Sequence, residues 1–179
     1  MKKNNIKNYT LDASAQNGIR YVGQYYVTDI PDKQRRKGGI CQLAAGLAEL
    51  LLIMLAISVN GIGCHTVYII IPLELILFCS LYYLIGSYTY MRSSDRMEQK
   101  VYDKAYSNPV QIVTVAIVLN LISLVGQMIL VIRNVQEFAD NRDYVFLAII
   151  LVLFMLHIWM WKHQKSLFAR VKVEEKGMH

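Results

Sequence analysis

Residues Ile40–Val59 read ICQLAAGLAELLLIMLAISV, an apolar run with one acid, Glu49, and no basic side chain. As a helix rising ~1.5 Å per residue, it covers the ~30 Å hydrocarbon core of a bilayer. Three more apolar blocks of similar length follow, at about 66–90, 109–132 and 143–162. The whole chain has 179 residues, 55% of them hydrophobic and only 18% charged, with a mean hydropathy of +0.32. A soluble domain of this size carries more charge and less apolar surface. The expectation is an all-α integral membrane protein: an antiparallel bundle of four transmembrane helices over 40–164, with tails at 1–39 and 165–179. The first 39 residues are polar, so no signal peptide is expected, and the first span is expected to act as its own insertion signal.

Charge predicts how the bundle is oriented. The N-terminal tail, the segment 91–108 and the region after Trp161 hold 17 of the 19 Lys and Arg residues; only Arg133 and Arg142 lie in the links between spans one and two or three and four. Short loops with that bias stay on the cytoplasmic side, which predicts a multi-pass protein of the cell membrane with both termini cytoplasmic. Tyr82, Tyr83, Tyr88 and Tyr90 close the second span and Trp159 and Trp161 the fourth, placing aromatic rings at the same interface. The net charge of +6 is accounted for by this anchoring, so no nucleic-acid partner is expected.

Acids and amides inside the spans are the candidate site residues, because hydrocarbon penalises an isolated carboxylate by ~2.5–3.5 kcal/mol at mid-depth. Glu49 lies near the centre of the first span and must be protonated or face a partner. It reads either as a proton or cation site or as a group that locks helix packing. Glu74 follows Pro72 by two residues in the second span, where proline frees the carbonyl of Tyr68. In the third span Ala116, Asn120, Ser123, Gln127 and Asn134 fall on one helical stripe that is expected to face protein. Antiparallel depth then pairs Asn120 with Glu49 and Gln127 with Glu74 in two acid–amide layers. Cys41, Ala45 and Ala48 are expected on the Glu49 face of the first span. His157, one turn from Trp161, is a candidate proton relay, since imidazole changes charge near neutral pH.

The polar segments carry weaker signals. Arg20–Thr28 is rich in strand formers and predicts a short strand or hairpin beside the membrane. Lys33, Arg35, Arg36 and Lys37 form a basic cluster before the first span that suits an anionic membrane surface. Ser94–Tyr106 reads as a helix with Met97, Val101 and Ala105 on one stripe, and Asn108 and Pro109 as the N-cap and first residue of the third span. Cys41, Cys64 and Cys79 form no CxxC pair, the four histidines have no metal-ligand spacing, and no hydrolase, protease or nucleotide-binding motif occurs. No enzyme, cofactor or metal site is therefore expected. The reading is an accessory or interaction subunit of a membrane complex, or a homo-oligomer, with the lipid bilayer and a membrane protein or a second copy as partners. The alternative is a proton- or cation-coupled small-solute transporter using the buried glutamates.

Overall fold

The computed structural model describes residues 9–11, 19–21, 23–133 and 141–174. Within them four helices are long and apolar enough to cross a bilayer: α1 (Asp32–Ser58), α2 (Val67–Arg92), α3 (Gln99–Arg133) and α4 (Arg142–Phe168). Each outruns its apolar block, because backbone hydrogen bonding continues into polar residues that would lie beyond the hydrocarbon. Pro31, held extended at φ −59° and ψ 145°, marks the start of α1, and Asp32 sets a carboxylate in the first turn against the helix dipole. Asn60 ends the helix in the left-handed conformation at φ 53°, which asparagine tolerates better than most residues.

The start of α3 departs from expectation. Asn108 is helical at φ −63° and ψ −42°, so it is no N-cap; the helix begins at Gln99 and passes through a π turn at Asp103–Ser107. Pro109 gives the reason. It has no N–H to donate to the carbonyl of Ala105, and the wider turn just before it makes room for the ring. Gly86 of α2 packs against this point: a Cβ there would come within 2.7 Å of Pro109 Cγ and 3.0 Å of the Lys104 carbonyl oxygen. The helix expected over Ser94–Tyr106 is likewise interrupted, since Arg96–Glu98 is a strand.

Strands β1 (Tyr9–Leu11) and β2 (Ile19–Tyr21) pair as an antiparallel hairpin. Strand β3 (Tyr25–Thr28) is the centre of a second, three-stranded antiparallel sheet, flanked by β4 (Arg96–Glu98) and β5 (Val171–Val173). The sheet joins the N-terminal tail, the middle loop and the segment after α4 at one end of the bundle. Tyr26 stacks on Tyr102 at 3.9 Å between ring centres, and Arg96 lies over the Tyr25 ring while pairing with Glu174 at 2.7 Å. Arg35 is the correction within the basic cluster. Lys33, Arg36 and Lys37 are exposed, but Arg35 is buried, donates to Asp95 Oδ1 at 2.7 Å and pairs with Asp32, so it ties α1 to the sheet end instead of facing a membrane surface.

The outside of the bundle is as apolar as its core: Leu51, Phe78 and Met155 are each more than 60% exposed. A surface of that kind needs lipid or protein against it. Inside, α2 contacts both α1 and α3, and α4 closes the bundle against α3 and α1.

Candidate functional site

The half of the interior nearest the short α1–α2 link is mainly apolar, with Ile53, Ile69, Leu73, Phe146 and Leu153 in one buried cluster. It is capped by a polar knot. Asp143, at the start of α4, accepts from the backbone N–H groups of Gly63 at 3.0 Å and Ile62 at 3.3 Å, satisfying the turn at Ile62–His65. Gln127 of α3 donates to the Asp143 carbonyl at 3.2 Å and to its carboxylate at 3.3 Å. Gly63 must lack a side chain, since a Cβ would overlap the Gln127 amide oxygen. Cys64 donates its thiol to the Ala56 carbonyl at 3.4 Å, and burial pushes that thiol above its ordinary range, which keeps it from acting as a thiolate.

At mid-bundle three helices meet in a triad. Glu49 of α1 is 1% exposed, and Asn120 of α3 and His157 of α4 are fully buried. Glu49 Oε1 lies 2.7 Å from His157 Nε2, and Asn120 Nδ2 lies 3.2 Å from His157 Nδ1. Chemistry limits the proton count. A buried pair without net charge is either a protonated Glu49 donating to Nε2 or a carboxylate accepting from an imidazolium, and both forms carry a proton on Nδ1. That proton needs the amide oxygen of Asn120 opposite it. An amide presents nitrogen and oxygen in nearly the same shape, so a half-turn of Asn120 supplies this acceptor and engages Asn120 Oδ1, which has no partner among the described residues. With Nδ1–H donated to the Asn120 amide oxygen, one further proton lies between Glu49 Oε1 and His157 Nε2.

The sequence put Asn120 at the depth of Glu49 and His157 elsewhere; in the structure Asn120 and Glu49 each bond to His157, which lies between them. The three lie in one layer because α4 runs antiparallel to α3. Gln127 is not joined to Glu74. Residues Ile69, Leu73, Ile76, Ser80 and Tyr83 form the buried face of α2, and Glu74, about 100° round the helix from Leu73, is exposed on the outside. Pro72 is buried, and the turn before it is tied to α3 by Ser123, which donates to the Ile69 carbonyl at 2.9 Å. Ala116, Asn120, Ser123 and Gln127 are all buried as the stripe predicts; Asn134 lies outside the described residues. On α1, Ala45 is buried with Glu49, whereas Cys41 and Ala48 are exposed.

Two fully buried amides went unread: Gln42 on α1 and Gln164 on α4. Gln164 donates to the Tyr83 hydroxyl at 3.4 Å. The signal was present, because Gln42 precedes Glu49 by seven residues and Gln164 follows His157 by seven, two turns along the same faces. Among the described residues no group of three His, Cys, Asp or Glu is placed to hold a metal ion. Compared with known proteins, the chain matches no family model, no curated protein and no solved structure.

Proposed function

We propose that the chain is an integral protein of the cell membrane that works as an interaction subunit, assembling with a second copy through the outer face of α2. The observation that carries this reading is Glu74, an acid exposed on the apolar outside of a helix long enough to cross a bilayer. A carboxyl against lipid tails is unfavourable, whereas one against another helix gains a hydrogen bond worth ~0.6–2 kcal/mol. Ile71, Glu74, Phe78, Leu81 and Ile85 are all exposed and recur at spacings of three and four, the pattern of a helix–helix seam. A second copy is the favoured occupant for a chemical reason. Copies inserted the same way bring Glu74 to equal depth about a two-fold axis, and a protonated carboxyl is both donor and acceptor, so it complements itself.

The test is the oligomeric state in lipid nanodiscs, read by single-molecule photobleaching. Wild type and Glu74→Gln, which keeps a donor and an acceptor, are expected to be dimeric, and Glu74→Leu monomeric. A monomeric wild type, or a Glu74→Leu variant that assembles as well as wild type, would refute self-association through this face.

A second reading, a proton- or cation-coupled small-solute transporter, is favoured by the Glu49–His157–Asn120 triad. It requires a pH-gradient-driven flux in reconstituted vesicles that disappears in Glu49→Gln, a side chain that keeps its volume but cannot titrate.

A further inference from the structure

Where α1 and α2 meet at the sheet end, their contact has an inner and an outer flank. A Cβ on Gly39 would come within 2.6 Å of Met91 Cβ, so the two backbones nearly touch there. On the inner flank Gly38 faces the buried Tyr90, whose hydroxyl would lie 3.3 Å from a Cβ at Gly38. Arg36 comes two residues before Gly38, and Arg92 two residues after Tyr90. Two residues turn a helix by about 200°, which puts both arginines on the outer flank of this one contact. Both are exposed. Tyr88, one turn before Arg92, joins them: its hydroxyl accepts from Arg92 Nη1 at 2.8 Å, and its ring centre lies 5.5 Å from the guanidinium carbon. The charge on this flank has no counterpart in the chain. Asp32 and Asp95, the acids nearest the two arginines in sequence, are both taken by the buried Arg35, and Arg36 and Arg92 form no ion pair among the described residues.

We propose that this outer groove between α1 and α2 binds an anionic lipid, with its phosphate between Arg36 and Arg92 and an acyl chain along Ile40 and Leu47. Guanidinium groups take phosphate oxygens through paired N–H···O bonds, and the Tyr88 hydroxyl, which accepts from Arg92, still has its own proton to donate. Lys33, exposed three residues before Arg36, adds positive charge at the approach. Toward the hydrocarbon the same side of α1 turns apolar. Ile40, one turn beyond Arg36, is 61% exposed, and Leu47, two turns further, is 54% exposed. A ligand with a phosphate and acyl tails matches both parts of this surface, whereas a soluble anion matches only the first. Positive charges without a neighbouring acid also favour a headgroup of net negative charge over a zwitterionic one, whose ammonium they repel.

The site rests on the membrane reading but lies within one copy, so it does not depend on assembly through Glu74. Native mass spectrometry of the detergent-purified protein tests it, by titration with phosphatidylglycerol or with phosphatidylcholine of the same acyl chains. The first phosphatidylglycerol is expected to bind about tenfold more tightly than the first phosphatidylcholine. The Arg36→Gln, Arg92→Gln double variant is expected to lose that preference. The Lys162→Gln, Lys165→Gln double variant, which removes the same charge from exposed positions on α4, is expected to keep it. Millimolar inorganic phosphate is expected to leave the bound lipid in place. Equal binding of the two lipids by the wild type would overturn the proposal, and this comparison needs no variant to fold. Equal loss in the two double variants, the result of bulk charge alone, or displacement of the lipid by phosphate would overturn it as well. A chain that stays dissolved without detergent would instead remove the membrane reading on which the site rests.

Discussion

Glu49 is held by one hydrogen bond and by the shape of the space around it, and these make separate demands. Its Oε1 meets His157 Nε2 at 2.7 Å with both side chains essentially out of contact with solvent. Glu49→Gln keeps an oxygen that can accept from Nε2–H, so the folded protein should lose little stability. Glu49→Ala strips His157 of its partner and leaves a void, which should cost ~2–5 kcal/mol from an unmet imidazole nitrogen and a cavity together. Thermal unfolding in matched detergent checks both; equal loss in the two variants would mean that ionised carboxylate, and not volume or an acceptor, maintains the packing. At this scale the sequence was only half legible. An acid in the middle of an apolar span is visible by composition, and so is the amide stripe of α3. Which acid faces inward is not: Glu49 and Glu74 look alike as letters, and a rotation of about 100° on α2 separates an interior group from an exterior one.

Helix packing turns on small residues at contacts. Gly86→Ala would gain up to ~1 kcal/mol of intrinsic helix propensity, yet its Cβ would meet the ring of Pro109 and a backbone carbonyl, neither of which can swing away. Overpacking of this kind costs ~1–3 kcal/mol, so the variant is expected to melt below the wild type while Ile85→Val, on the exposed side of the same turn, is expected to match it. A Gly86→Ala protein as stable as wild type would mean that the π turn yields to α2. The link end makes a similar demand through Asp143, whose two oxygens serve two backbone N–H groups. Asp143→Ala is expected to lower stability by ~1–3 kcal/mol in the same unfolding assay, and no change would show that the turn finds other acceptors. Periodicity revealed the long helices but not these joints, because Pro109 reads equally well as a first helical residue and as a residue inside a distorted helix.

For the whole molecule, the three-stranded sheet joins strands from the N-terminal tail, the middle loop and the segment after α4 at one end of the bundle, and the sequence regions 1–39, 91–108 and 162–179 that contain those strands carry 17 of the 19 basic residues. If the positive-inside tendency governs insertion, reporter fusions at Arg96 and Glu174 will read cytoplasmic and fusions at Gly61 and Arg142 will read external. A cytoplasmic signal at Gly61 would reverse that orientation.

Composition and charge were sufficient for the number of long apolar helices and the grouping of segments at two ends, because these follow from apolar length and the sign of short loops, which are sums over many residues. Tertiary structure alone decided the rest. It brought His157 into line with Glu49 and Asn120, turned Glu74 outward, buried Arg35 against Asp32 and Asp95, and stacked Gln42 and Gln164 beneath the triad. Each of these depends on the rotation and register of one helix against another, set by side-chain packing across the bundle, and no property of a single segment contains it.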